Sequence, residues 1–164
     1  MLSLVLDDHQ VCRGLIAMNL QTLELQTFKA DAVIMATGGP GLVFGKSTNS
    51  QTCTGSAVAA CYTQGARYAN GEFIQVHPTS IPGEDKLRLM SESARGEGGR
   101  VWVPKTDGDA RNPRDIPENE RWYFLEEKYP AYGNLVPRDI ATREIFQVCL
   151  EGHGVAGENQ VYLD

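Results

Sequence analysis

DAVIMATGG, residues 31–39, decides how the fold is read. An apolar run from Ala32 to Ala36 ends abruptly in Thr37-Gly38-Gly39. A strand apolar on both faces is what a buried parallel sheet requires. In open α/β sheets, ligands lie just beyond the carboxyl ends of the strands. Glycines at that point let the backbone approach a flat ligand with no Cβ in the way. An ordinary strand-to-loop turn would use the same glycines, and from this stretch alone the two readings stay level.

Downstream, a glycine-rich loop carries Lys46, Ser47, Thr48 and Asn49 to Thr54-Gly55. A helix is predicted from Ser56 to Gln64, closed by Gly65. Its small side chains suit close packing on a sheet or a flat ligand. Its first turn offers free N–H groups and partial positive charge to a phosphate or carbonyl oxygen. The GxGxxG fingerprint is absent from the 164 residues. Upstream, residues 2–6, 11–19 and 24–28 alternate as strands around turns at Asp7–Gln10 and Asn19–Thr22, which predicts an antiparallel meander. His9 falls in a turn and is expected in solvent. Residues 71–76 are predicted as another strand.

The net charge of −6 and the pI near 5.1 argue against a nucleic-acid footprint. Positive charge is local, at Arg95, Arg100, Arg138 and Arg143, which suits a small anionic substrate. The four cysteines are scattered without a CxxC pair, as in reduced thiols. No apolar run approaches the ~18–20 residues a membrane span needs. The chain opens in mid-strand and stops just after Val161-Tyr162-Leu163, so it is expected to be an internal piece of a longer polypeptide.

Residues 73–99, FIQVHPTSIPGEDKLRLMSESARGEGG, gather His77, Thr79, Ser91, Glu92 and Arg95 among glycines, in the manner of an anion site. His77 before a proline also answers to a structural strand end. Arg95 and Glu97 are expected to pair and hold the glycine turn. Residues 104–120 read as an exposed hairpin tip or insertion, and Trp122 to Tyr129 as an aromatic anchor for a second core. A helix is predicted over 138–148, with Ala141, Ile145 and Val148 as its core stripe. Pro137 precedes its first turn. Arg138 stands at the helix entrance, where its charge opposes the dipole, so a duty other than structure is indicated. Arg143 and Glu144 are read as surface charges, and His153 as exposed in a Gly-His-Gly linker.

ATGG at 36–39, Thr54-Gly55, EFIQVHPT at 72–79, SESARGEGG at 91–99 and PRDIATRE at 137–144 occur in that order. Together they resemble the flavoprotein subunit of succinate dehydrogenase and fumarate reductase, in particular the bacterial type with LRLMSESARGEGGRVW and EEKYPAYGNLVPRDIATREI. The resemblance covers essentially the whole chain. It implies FAD as cofactor, with Ala36, Thr37, Gly38, Gly39, Thr54, Gly55 and Ser56 at the flavin. Many members carry aspartate where Ser56 stands here. It implies that His77 and Ser91 bind a substrate carboxylate, and that Glu92 and Arg138 handle the proton. It further implies that hydride passes between succinate or fumarate and the flavin. An iron–sulfur subunit and a membrane anchor subunit are the implied partners, on the cytoplasmic face of a bacterial inner membrane.

The implied fold is α+β. Residues 1–75 form part of an FAD-binding α/β, Rossmann-like domain with its meander. Residues 76–164 form an α+β capping domain, truncated at its C-terminal end. On this reading the 164 residues hold half an active site, and are expected neither to retain FAD nor to turn over succinate. Fumarate reductase and L-aspartate oxidase share several motifs, although PAYGNLVPRDIATRE leans against the latter. A non-catalytic interaction module that contacts the iron–sulfur subunit is the alternative of another class.

Overall fold

The computed structural model describes residues 1–164, which divide into two compact units, Met1–Ile74 and Gln75–Asp164. Unit 1 holds a three-stranded antiparallel meander of β1 (Ser3–Leu6), β2 (Cys12–Met18) and β3 (Leu25–Lys29), in the order β1-β2-β3. The sequence alternation and turns bear out here. Gly14 sets the spacing of β2 and β3. It adopts φ +146°, and a Cβ there would stand 2.0 Å from the Phe28 carbonyl oxygen. Helix α1 (Ser56–Thr63) follows, and the Gln64 side chain ties its end to β1. That side chain accepts from the Leu4 amide at 2.7 Å and donates to the Leu4 carbonyl at 3.0 Å.

Residues 31–37 form no strand, contrary to the sequence reading, and Ile34 is 91% exposed. The run is apolar enough for a buried sheet, but no other segment of the 164 residues offers it a ladder. Residues 71–76 likewise form no strand, for the same lack of an edge to pair with. Unit 1 buries little of its own apolar surface. Ala57 is its one buried hydrophobic residue, whereas Leu20, Leu23, Leu25 and Val43 are exposed.

Unit 2 has a proper core. Strand β6 (Val101–Pro104) is buried throughout and pairs antiparallel with β7 (Arg121–Trp122) and β8 (Tyr162–Leu163), in the order β7-β6-β8. Against it pack α3 (Phe124–Lys128) and α4 (Arg138–Leu150). The core cluster is Val101, Val103, Phe124, Leu125, Val136, Ala141 and Val148, with Ile145 partly buried against it. The aromatic anchor and the stripe of α4 therefore fall where the pattern puts them. A small hairpin of β4 (Ser80–Ile81) and β5 (Arg88–Leu89) leads into the four-residue α2 (Ser93–Gly96).

Three surface expectations need correction. The 104–120 segment is not wholly exposed, because Ile116 is 1% exposed. His153 is not a free linker residue. Its Nδ1 lies 2.6 Å from an Asp107 carboxylate oxygen, and its ring meets Trp122 edge-on. Glu144 is largely covered and accepts from Lys128 Nζ at 2.6 Å and the Tyr129 hydroxyl at 2.8 Å, clamping α3 to α4.

Candidate active site

The Ser91 hydroxyl starts α2. It accepts from the Ser93 amide at 3.2 Å and donates to the Ser93 hydroxyl at 3.0 Å, a local turn of the kind serine favours. Glu92 follows as the residue capping α2, with Arg95 one helical turn on. That spacing places the two side chains on one face. Arg95 is buried, at 3% exposure. Its Nη2 donates to Glu92 Oε1 at 2.9 Å, and its Nη1 donates to the carbonyls of Asn134 at 2.8 Å and Val136 at 3.2 Å. Arg95 thus pairs with Glu92, not with Glu97, because its side chain turns inward to the carbonyls before α4.

Arg138, first residue of α4, reaches the other Glu92 oxygen. Its Nε donates to Oε2 at 2.8 Å, and Nη2 donates to the same atom. Its remaining Nη1 donates to Gln75 Oε1 at 3.2 Å. The first half of α4 is also tied to the segment before His77, since the Thr142 hydroxyl donates to the Val76 carbonyl at 2.9 Å. One carboxylate therefore lies between two guanidiniums, with one oxygen given to each. Such charge-assisted bonds are shorter and stronger than neutral ones. The Arg138 guanidinium holds the Glu92 carboxyl below the usual carboxylate range, and Glu92 in turn raises Arg138. Both are ionised at neutral pH.

His77 sits at the entrance to the β4–β5 hairpin. Its Nδ1 accepts from the Thr79 amide at 3.2 Å and lies 2.9 Å from the Thr79 hydroxyl, which donates to the Met90 carbonyl. A backbone amide can only donate, so Nδ1 is an acceptor and the neutral ring carries its proton on Nε2. Partial burial lowers the His77 pKa, and the nearby Arg138 and Arg95 cations lower it further against the opposing effect of Glu92. His77 is neutral at pH 7.

A pH dependence follows. Above the ordinary histidine value of 6.5 the ring is neutral both folded and unfolded and adds no slope. Below it the unfolded ring takes up a proton first, so the unfolded state binds more protons and stability falls as pH falls. Denaturation of the chain between that value and the lower folded one is expected to show this fall. His77→Asn is expected to remove it, and an unchanged slope in that variant would contradict the assignment. Trp102 and Trp122 both lie in unit 2, so tryptophan fluorescence reports the transition.

In unit 1, Ala36 to Gly39 are exposed and the loop from Thr37 to Gly55 folds on itself. Gly38 has φ +75°, and a Cβ there would stand 2.6 Å from Cys53 Sγ. A Cβ at Gly41 would stand 2.5 Å from Asn49 Nδ2, which donates to the Gly39 carbonyl at 3.3 Å. Gly55 caps α1 in the left-handed region, with no side-chain bond from the cap itself. The Thr54 hydroxyl accepts from the Ser56 amide at 3.4 Å and donates to the Ser56 hydroxyl at 3.2 Å. Exposed glycine backbone and a helix start rich in N–H donors fit a flat cofactor with carbonyl and phosphate oxygens. All four cysteines are free thiols.

His77, Glu92 and Arg138 come together in unit 2, with Ser91 as the turn that sets Glu92. Arg95 and Gln75 belong to the same cluster; the sequence pairs Arg95 with Glu97 instead of Glu92 and does not single out Gln75. The spacing of Glu92 and Arg95 was the available signal for the first. Gln75 has none, because its partner lies 63 residues away.

The family profile described as FAD binding domain matches residues 1–164. The chain is 65% identical over 164 residues to the succinate dehydrogenase flavoprotein subunit of Bacillus subtilis, covering 99% of this chain and 26% of that protein. It is 36% identical over 155 residues to the L-aspartate oxidase of a Synechocystis species, covering 93% of this chain and 25% of that one. A solved structure of a mutated E. coli quinol fumarate reductase flavoprotein matches with a TM-score of 0.70 at 30% identity, covering 99% of this chain and 26% of that one. The chain thus spans about a quarter of the length of the relatives it matches. With the profile running from end to end, this chain belongs to the FAD binding domain family, and its cofactor is FAD.

Proposed function

We propose that the chain is part of the flavoprotein subunit of a succinate dehydrogenase, which oxidises succinate to fumarate. The observation that carries this is the Glu92 carboxylate held between Arg95 and Arg138, with neutral His77 close enough to feel all three charges. Residues 1–75 are read as part of a Rossmann-like FAD-binding domain, and residues 76–164 as its capping domain. The exposed run at 31–37 and the uncovered meander support this, since both need further chain to bury them. Thr37, Gly38, Gly39, Thr54, Gly55 and Ser56 would hold FAD, which when bound accepts hydride from the substrate.

The chain's own residues do the rest. His77 donates from Nε2 to a substrate carboxylate, and the Ser91 hydroxyl bonds the same end. Arg138 fixes the dianion and relays the proton. Free arginine is too weak an acid to give up the proton it must lose before it can accept another. It can, however, pass an Nη2 proton to Glu92 Oε2 while it takes one from the substrate carbon, and so stays cationic throughout. Glu92 is ready for this because Arg138 keeps it ionised. An iron–sulfur subunit and a membrane anchor subunit are the proposed partners, at the cytoplasmic face of a bacterial inner membrane. No helix here is long and apolar enough to cross a membrane.

The test is turnover by the full-length flavoprotein with bound FAD. Succinate is expected to drive dye reduction, and L-aspartate is not. Activity with L-aspartate alone would move the chain to the oxidase that it also resembles. Faster reduction of fumarate than oxidation of succinate would favour the fumarate reductase reading. Inertness with all three would refute the enzymatic reading. The 164 residues alone are expected to leave added FAD unquenched.

A further inference from the structure

Asn134 lies in the turn between α3 and α4 and bonds to three separate elements. Its Oδ1 accepts from the Val101 amide of β6 at 2.9 Å. Its Nδ2 donates to Glu126 Oε1 of α3 at 2.7 Å. Its own carbonyl accepts from Arg95 Nη1 of α2 at 2.8 Å. The amide orientation is unambiguous, because a backbone N–H only donates and a carboxylate only accepts.

Glu126 is itself fixed. Arg100 grips both of its oxygens, each at 2.8 Å, and lies 3.4 Å over the Tyr123 ring. The turn around Asn134 is a single 3-10 turn, Gly133–Leu135, with Gly133 at φ +52° and no side-chain cap. Val136 holds the far end of the turn in the core at 2% exposure. The near end has the Asn134 side chain as its tie to β6 and α3. Arg138 enters α4 four residues later. The Asn134 carbonyl sets where the Arg95 guanidinium rests, and Arg95 and Arg138 between them orient the Glu92 carboxylate.

We propose that Asn134 is a positioning residue for the Glu92–Arg138 pair. It acts through Arg95 and through the turn that delivers Arg138, and touches no substrate. The inference rests on the reading of that pair as the proton-handling groups. Misplacing such groups by about 1 Å can cost on the order of 100-fold in rate. Binding by His77, which stands on another segment, should change little.

The experiment uses the full-length, FAD-loaded flavoprotein. Asn134→Ala is expected to lower kcat for succinate by roughly 10- to 30-fold, with KM within about 2-fold. The solvent deuterium isotope effect on kcat is expected to rise, because the proton step becomes more limiting; loss of packing alone would not do this. Asn134→Asp keeps the acceptor for Val101 but sets a carboxylate against Glu126. It is expected to show the same pattern, and it carries the test if the alanine variant loses its FAD. Unchanged kcat and isotope effect beside an inactive Arg138→Lys enzyme would overturn the inference and leave the site reading standing. A raised KM at unchanged kcat would overturn it as well. An active Arg138→Lys enzyme would instead remove the reading of that pair as the proton-handling groups, and the inference with it.

Discussion

Arg138→Lys in the full-length, FAD-loaded flavoprotein is expected to lower succinate turnover by roughly 1000-fold while KM moves only a few-fold. Lysine keeps the charge but not the fork. Arg138 uses Nε and Nη2 on one Glu92 oxygen and Nη1 on Gln75, which fixes the plane of the guanidinium. A single ammonium cannot occupy those three positions and also take up the proton that leaves the substrate carbon. Positioned proton transfer is worth about 100- to 10,000-fold, which sets the size of the loss. Binding of the dianion survives better, because a cation remains. Succinate-dependent dye reduction measures it. Turnover that survives the lysine substitution would take Arg138 out of the proton relay and leave it as an electrostatic clamp.

Arg95→Ala is expected to destabilise unit 2 by about 3 kcal/mol, since hydrogen bonds to a charged group are worth about 1.5–3 kcal/mol and buried acceptors would lose their donor. The carbonyls of Asn134 and Val136 would lose it together. Glu92 would keep Arg138, so the loss comes from the buried carbonyls and the vacated volume more than from an orphaned carboxylate. Lysine at the same position cannot reach two carbonyls and a carboxylate at once, and is expected to recover only part of the loss. Denaturant titration followed by tryptophan fluorescence measures it. A midpoint unchanged in the alanine variant would show that Arg95 is not structural and that its bonds to the turn are dispensable.

What could be read from the sequence follows the range of the interactions. The meander of unit 1 was legible because alternation and turn residues act between neighbours. Helix α4 was legible because Ala141, Ile145 and Val148 repeat at helical spacing. Asp31 to Ala36 misled because an apolar run reports a need for burial, not the presence of the strands that would satisfy it. Phe73 to Val76 misled for the same reason. Trp122 to Tyr129 was placed correctly as a core anchor, because large aromatic side chains carry their burial with them.

The site divides along the same line. His77, Glu92 and Arg138 were named from motifs and stand together in unit 2. The links that hold them are tertiary. Gln75 to Arg138, Arg95 to the carbonyls before α4, and Asn134 to β6 join residues far apart in sequence. Arg95 is the instructive case. Its neighbour Glu97 is an equally plausible partner in the sequence, and only the buried carbonyls decide for Glu92. The sequence reads His153 and Glu144 as solvated groups because Asp107 and Lys128, which hold them, lie far away in the chain.

The central claim is that His77, Ser91, Glu92 and Arg138 form one site for a dicarboxylate. Binding of malonate to the full-length, FAD-loaded flavoprotein, read from the flavin absorbance, tests it most directly. His77→Ala removes the Nε2 donor without touching the Glu92–Arg138 pair. It is expected to raise the malonate Kd by at least about 10-fold, the equivalent of one charge-assisted hydrogen bond. A Kd equal to that of the unsubstituted protein would contradict the account.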